Sequence, residues 1–345
     1  MENIKLHMNP WQVKGYSVDK NTTEGTLNAL GVYAMDSLPA SITTPSISTP
    51  LQFLQYFMPK AIYTATAARK IDELVGRNIV ASWEDEEVVT PVIERLGGVR
   101  PYGDFVSTQL SSVNVNYERR TIVRFETGIE VTTLEEQRAA KAKINNAEQK
   151  RNAAITALAI EQNRIGFYGY NDGQNRTYGF LNDPNLPAYV SVATGASTST
   201  QWKYKTFQEI IADIRTAFSA LLVKSGALFD PVADESTLAL SLSCQEFLTV
   251  TTDYGMSVMD WLKKTYPKCR VVSAPELDLA NGGANVFYLY TSRINDTDVF
   301  AQNVVTTLRS LGVERTIKGY AEAYSNATAG VMLNAPIGLV RYTGI

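Results

Sequence analysis

The sequence predicts an α+β fold in which a long two-stranded projection and a long helix precede a compact α/β segment. Three observations predict it. Residues about 76 to 130 are strand-like, with period-two alternation from Ser111 to Glu126. From Thr133 a capping signal opens a run with apolar side chains at helical spacing. From Thr206 to Tyr290 helical and strand-like runs alternate, the pattern of a sheet covered by helices. The 345 residues are 45% hydrophobic, enough for a sizeable core in one large domain or two to three smaller ones.

Residues 1–55 differ in composition from the rest of the chain. Ser37 to Pro50 reads SLPASITTPSISTP, which cannot continue a helix and has little to bury. An extended arm is expected here, with a disordered tail as the alternative. Trp11, Tyr16, Tyr33, Phe53 and Phe57 are large apolar groups in and beside it that need a partner, such as another subunit.

In the projection, Val113, Val115, Tyr117, Val123 and Phe125 fall on one face. Asn114, Asn116, Glu118, Arg120, Arg124 and Glu126 fall on the other, and Ile122 is the one break. The earlier arm, about Asn78 to Glu94, carries Glu84, Asp85, Glu86 and Glu87 in a row. Gly97, Gly98, Pro101 and Gly103 mark the turn region. Arms of ~15–20 residues extend roughly 50–65 Å. A hairpin that long with no helix over it is unstable alone and needs another surface to lie on. Paired carboxylates can act as acid and base, but four consecutive acids on a strand alternate faces and do not converge. Glu84, Asp85, Glu86 and Glu87 are therefore expected at a solvated face or an intersubunit salt-bridge patch, with Arg95, Arg100, Arg119, Arg120 and Arg124 as plausible partners.

Thr133-Leu134-Glu135-Glu136 has the form of a capping box. Ala140, Ile144, Ala147, Ala154, Ile155, Leu158 and Ile165 come after it on one stripe, and Gly166 is expected to end a single helix of roughly 48 Å. The stripe is narrow and Ala-rich, suited to close packing on a sheet or helix. A connector runs from Gly166 to Pro184. Its Asn171, Asp172 and Asn175 lack the alternating acids and closing Glu of a calcium loop.

Thr206 and Glu209 form a second capping box, ahead of Phe207, Ile210, Ile211, Ile214, Phe218, Leu221 and Leu222 at amphipathic spacing. Leu238, Leu240 and Leu242 alternate as a strand, and Ser243 with Glu246 is expected to cap a short helix. Met256 to Tyr266 reads as a helix stopped by Pro267. Arg270 to Ser273 and Val286 to Tyr290 read as central strands. After Arg309 strands return: Ile317 to Tyr324 and Ala329 to Leu333 are expected to flank a turn at Asn326, with Ile337 to Tyr342 after them.

Composition narrows the chemistry. The one histidine, His7, leaves little room for imidazole-based triads or His-rich zinc sites. Cys244 and Cys269 form neither a disulfide framework nor a Cys-x-x-Cys site and read as small buried side chains. With Lys+Arg 32 and Asp+Glu 35, the net charge of −3 excludes a globally basic nucleic-acid binder. Charged residues are only 19%, which suits a surface consumed by contacts with other chains. There is no phosphate-binding glycine loop, no cofactor signature and no apolar run of membrane-spanning length.

The order of arm, hairpin, long helix, glycine-containing connector, α/β segment and terminal strands resembles the major capsid proteins of tailed bacteriophages, the Hong Kong 97-type fold. The run through Tyr178-Gly179-Phe180-Leu181-Asn182-Asp183-Pro184 and the ending from Asn334-Ala335-Pro336-Ile337 to Tyr342-Thr343-Gly344-Ile345 are similar to that family's segments. The resemblance covers nearly the whole chain and rests on the ordered set rather than on one motif. It implies an N-terminal arm over 1–55, a hairpin or E-loop region over 56–130, a spine-helix peripheral domain over 131–204, an axial domain over 205–312 and terminal strands returning to the peripheral domain over 313–345. It implies no enzyme activity and no cofactor. The implied partners are the chain itself in pentamers and hexamers, a separate scaffolding protein, a portal protein and, as an optional addition, a decoration or cement protein. They enclose double-stranded DNA, held without sequence-specific binding, in a virion shell assembled in the host cytoplasm. Some relatives weld the shell through an E-loop lysine, but Ile71 to Ala140 contains no Lys, so that bond is expected to be absent. A long scaffolding leader is not expected before the arm. The alternatives are an encapsulin-like shell around protein cargo, a carboxylate-based hydrolase and a tail or sheath protein.

Overall fold

The computed structural model describes residues 69–345 apart from positions 103, 105, 106, 108, 109, 142–144, 174, 253 and 254. The expected arm over 1–55, His7 included, lies outside the described residues.

Helix α1 (Ile71–Val75) and strand β1 (Asn78–Ile79) lead into the hairpin of β2 (Glu87–Leu96) and β3 (Ser112–Thr121). Strand β4 (Val123–Thr132) continues into helices α2 (Thr133–Lys141) and α3 (Asn146–Tyr168). After β5 (Val190–Ser191) come α4 (Phe207–Lys224), β6 (Ser236–Ser241), α5 (Val258–Thr265), β7 (Cys269–Ala274) and β8 (Val286–Thr291). The short pair β9 (Arg293–Ile294) and β10 (Thr297–Asp298) precedes two long strands, β11 (Phe300–Thr316) and β12 (Gly319–Leu333), and then β13 (Leu339–Thr343).

One sheet has the order β5-β13-β8-β6-β7. Every residue of β6 and β8 is buried, as a strand covered on both faces requires. Leu238, Leu240, Phe287 and Leu289 pack with Ile210, Ile214, Phe218 and Leu221 of α4. Ala239, Tyr288 and Tyr290 face the other way, onto Phe167, Phe180, Phe300 and Ile71. Phe180 stacks on Tyr288 at 4.9 Å and lies 4.7 Å from Phe300, centroid to centroid, tying the connector to this sheet and to β11. The Glu209 carboxylate accepts the Thr206 N–H at 2.8 Å, as the capping pattern predicts. In α5, Ser257 and Asp260 make the equivalent reciprocal cap. Strand β7, expected to be central, is at the sheet edge. Ser243 does not cap a helix: residues Leu242–Thr249 form 3-10 turns, and the Ser243 hydroxyl donates to Asp278 at 2.9 Å.

The second sheet has the order β1-β11-β12-β4. One face, with Ile129, Val131, Tyr320 and Tyr324, packs on Ala147 and Ala154 of α3. On the opposite face, Ile122, Val305, Ala327 and Ala329 pack with Trp83 and Val88.

Several expectations are corrected here. The strand from Ser111 to Glu126 is two strands: β3 pairs with β2, and β4 leaves to pair with β12. The changeover is Ile122, the single break in the alternation, whose side chain is buried. The long helix is also two helices, with Asn145 capping the second by accepting the Glu148 N–H at 3.3 Å. Thr132 rather than Thr133 caps α2, because the Thr133 hydroxyl donates to the Lys318 carbonyl at 3.0 Å. Gly166 does not end α3. A Cβ there would sit 2.6 Å from Ile71 Cγ1, so its glycine serves close packing, and the helix ends at Gly169 with φ +67°. Ile155 on the expected stripe is exposed, while Gln162 and Asn163 are buried. Asn326 is not a turn but the middle of β12, opposite Phe125, where its side chain donates to Gln162 Oε1 at 3.0 Å. Strand β11 starts at Phe300 and belongs with β12, and β13, expected to return to the peripheral domain with the other terminal strands, inserts between β5 and β8 of the other sheet. The chain therefore crosses between the sheets at places other than the expected boundary at 312.

Candidate assembly surfaces

The register of the β2–β3 hairpin decides which side chains share a face, because directly paired residues point the same way. The pairs Val89–Arg119, Pro91–Tyr117, Ile93–Val115 and Arg95–Val113 make one face. The pairs Thr90–Glu118, Val92–Asn116 and Glu94–Asn114 make the other. The first face is apolar and uncovered: Ile93 is 58% exposed, Val113 59% and Tyr117 60%. The expected half-buried strand thus has its apolar face, but no part of the described chain covers it.

The nine expected contact residues divide by position. Glu84, Asp85 and Glu86 lie in the turn before β2, not on a strand as expected, and Asp85 accepts the Ser82 N–H at 2.7 Å. Glu84 and Glu86 are exposed and have no ion-pair partner among the described residues. Glu87 opens β2, 3.7 Å from Arg119, with both side chains solvated, so that pair contributes little. Arg95 and Arg100, toward the outer end of the hairpin, are exposed and unpaired among the described residues. Arg124 donates to the carbonyls of Trp83 and Asp85, and its guanidinium lies 5.6 Å from the Trp83 ring centroid. Arg309 lies over the same ring at 4.8 Å.

Arg120 corrects its expected role. It is 1% exposed, donates from Nη2 to Asp183 at 3.0 Å and from Nη1 to Glu118, and lies 5.0 Å from the Tyr178 ring. It pairs across the strands with Val88 near the root of the hairpin, where it meets the connector, so it is an internal ion and not a surface for another chain. Asp183 also accepts the Leu333 N–H at 3.3 Å, so one carboxylate holds the hairpin root, the connector and β12 together.

The shifted groups belong to structural pairs. Hydrogen bonds from Arg151 and Tyr324 lower the Glu322 carboxyl to about 2, fixing α3 on β12. Burial pushes the Asp213 carboxyl up, against the bonds from Lys205 and Trp202 that favour its charged form. Burial raises the Cys269 thiol to about 11, the opposite of an activated nucleophile. No cluster of three or more His, Cys, Asp or Glu able to hold a metal occurs among the described residues. Sequence reasoning missed Asn163, whose Oδ1 accepts the N–H groups of Lys70 and Ile71 at the start of α1. A polar residue on a helical stripe is its only signal.

No protein of curated function matches the chain. Among solved structures, the capsid of Myoviridae phage XM1 matches at a TM-score of 0.66 with 14% identity, covering 89% of this chain and all of that one. The capsid of a native GTA particle matches at 0.59 with 11% identity over 88% and 99% of the two chains. A chain of Gordonia phage Cozz matches at 0.55 with 12% identity over 90% and 97%. At these identities the likeness establishes the fold, which is of the Hong Kong 97 type. Residues 40–344 match the family described as Pa193 gp26 major capsid protein, and with that match the chain belongs to a family of phage major capsid proteins, structural and non-enzymatic subunits of the virion shell.

Proposed function

We propose that the chain is the repeating unit of a closed icosahedral shell, built from pentamers and hexamers, that encloses the double-stranded DNA of a tailed phage. The observation that carries this reading is the hairpin: an ordered two-stranded projection whose apolar face meets nothing in its own subunit among the described residues. Such a hairpin is marginal alone and gains its stability by lying on a neighbouring copy. Repeated head-to-tail, contacts of this kind close into rings. In this assignment the β1-β11-β12-β4 sheet with α3 forms the peripheral domain. The β5-β13-β8-β6-β7 sheet with α4 and α5 forms the axial domain toward the ring centre.

Contacts without covalent welds hold the shell, since Ile71 to Ala140 offers no lysine for an E-loop cross-link. The near-neutral charge of −3 suits a container, because many phosphate contacts would bind DNA tightly and obstruct packing and release. A separate scaffolding protein sets the curvature and a portal protein occupies one vertex, with a decoration or cement protein as an optional addition.

Electron microscopy of the purified chain, expressed with and without its neighbouring genes, tests this. Closed icosahedral shells, or free pentamers and hexamers, are expected. A chain that stays monomeric under every assembly condition, or that forms tubes, overturns the reading.

A further inference from the structure

The loop between β7 and β8 holds the one place in the sequence where glycine follows asparagine, Asn281-Gly282-Gly283. It is a tight two-residue reversal. The Asn281 N–H donates to the Ala284 carbonyl at 3.2 Å, and the Ala284 N–H donates back to the Asn281 carbonyl at 3.0 Å. Gly282 and Gly283 turn the corner at φ +58° and +93°, both are exposed, and a Cβ at either would meet nothing within 4 Å. The Gly282 N–H has no hydrogen-bond partner among the described residues. The Asn281 side chain is half-buried and donates from Nδ2 to the Thr343 hydroxyl of β13 at 3.1 Å.

A carboxamide beside the free backbone nitrogen of the next residue is a reactive pair, because that nitrogen closes a five-membered ring when it bonds to the side-chain Cγ. The nitrogen must be unbonded and unhindered, and its residue must be able to change φ and ψ. Glycine in open space meets all three conditions. Other asparagines fail one of them. Asn182 and Asn185 precede Asp183 and Leu186, whose N–H groups are bonded to the carbonyls of Gly179 and Asp183 at 3.2 and 3.1 Å. After Asn116, the Tyr117 N–H donates to the Asn116 side chain itself at 2.9 Å. Asn303 and Asn326 are buried inside β11 and β12.

We propose that Asn281 is a site of self-modification, converted to aspartate and isoaspartate by attack of the Gly282 nitrogen. The nitrogen gives its proton to solvent and bonds to Asn281 Cγ. The Cγ–Nδ2 bond breaks, and Nδ2 takes up a proton and leaves as ammonia. Water then opens the cyclic imide. Cleavage of its bond to Cγ gives aspartate, and cleavage of its bond to the backbone carbonyl carbon gives isoaspartate. Amide and water become acid and ammonia, with no change of oxidation state. Because the nitrogen must lose its proton, the rate rises with pH.

The two products differ in what they do to the turn. Aspartate keeps the backbone path, and the Thr343 hydroxyl changes from acceptor to donor. Isoaspartate lengthens the backbone by one atom and breaks the reciprocal pairing of Asn281 with Ala284. Either product adds one negative charge to the chain's −3. In a shell of many copies the added charges accumulate, one per converted subunit, so the charge of a particle records its age. That consequence rests on the shell reading; the site itself does not.

The experiment incubates the purified full chain at neutral and mildly alkaline pH and maps its peptides by mass spectrometry over time. Asn281 is expected to convert at least about tenfold faster than any other asparagine, faster at the higher pH, and to both products. An endoprotease that cuts before aspartate separates them, since it does not cut before isoaspartate. Gly282→Ala should slow the conversion about tenfold, and Asn281→Gln should abolish it. Conversion at Asn281 no faster than at other asparagines in the folded wild type overturns the proposal, and this result needs no variant to fold. Assembled particles should migrate as steadily more anionic with age, and Asn281→Gln particles should not. Particles of unchanged mobility whose peptides show conversion overturn the consequence for the shell alone, as does a chain that converts but never assembles.

Discussion

Two antiparallel strand pairs in this chain each carry an apolar face and meet opposite fates. In the β6–β8 pair every position is buried between α4 on one side and the Phe180 cluster on the other. In the β2–β3 pair most positions are exposed, Val89, Val92, Ile93, Val113 and Val115 included. The ladder hydrogen bonds are alike, so the difference lies in what covers the faces. The first pair is finished when the subunit folds. In the proposed shell, the second is finished only when another molecule arrives. A shell subunit needs both, because a surface satisfied within its own subunit offers a neighbour nothing to bind.

Substitutions at the two kinds of site should therefore separate subunit stability from assembly. The largest loss of stability is expected at Phe180, which is fully buried among Phe167, Tyr288, Tyr290 and Phe300. Phe180→Ala should cost about 3–5 kcal/mol in denaturant unfolding of the unassembled chain. A loss under about 1 kcal/mol would mean that the connector is not part of the core.

Next comes Arg120, on the border between the two regions. Arg120→Ala leaves the Asp183 carboxylate buried without its cation and should cost about 3 kcal/mol. Faster amide exchange at the hairpin root should accompany it. Slow exchange there in the variant would show that the root is held by something else.

A smaller effect is expected where α3 rests on β12. Glu322→Gln should cost about 1–2 kcal/mol near neutral pH. Because the Glu322 carboxyl is held down at about 2, its contribution is full above the unfolded value of about 4.3 and is lost as pH falls toward about 2. The stability difference between wild type and variant should vanish over that acid window, and a difference independent of pH would contradict the assigned cause. The smallest effect is expected in the hairpin itself: Ile93→Ser with Val115→Ser should change unfolding of the free chain by under about 0.5 kcal/mol. The same variant should fail to assemble at wild-type yield. Strong destabilisation of the free chain would erase the contrast between the two pairs.

Legibility in the sequence divides along the same line. The helix Phe207–Lys224 was readable in full, since its stripe faces one sheet and its cap is local. So was the apolar face of the hairpin, because alternation survives whether or not the face is covered. Tertiary placement was not readable. Arg120 sits in the polar phase of β3, and only the approach of Asp183, 63 residues away, turns it into a buried ion. Asn326 looks like a turn former until Gln162 gives it a partner inside the second sheet. Ile122 did show as a fault in the pattern, but a fault does not say which strand changes partner.

The Trp83 site, with Arg124 bonded to the turn and Arg309 over the ring, has a mechanical consequence. It clamps the hairpin at one end and leaves the rest projecting, which makes the hairpin a lever. Ten paired residues reach about 33 Å from the clamp at ~3.3 Å each, so each degree of tilt at the root becomes roughly 0.6 Å at the tip. A tilt of about 10° then moves the tip by about 6 Å, more than one strand spacing. In the proposed shell, copies with the same core would thus reach neighbours set at different angles through small adjustments at the hairpin root.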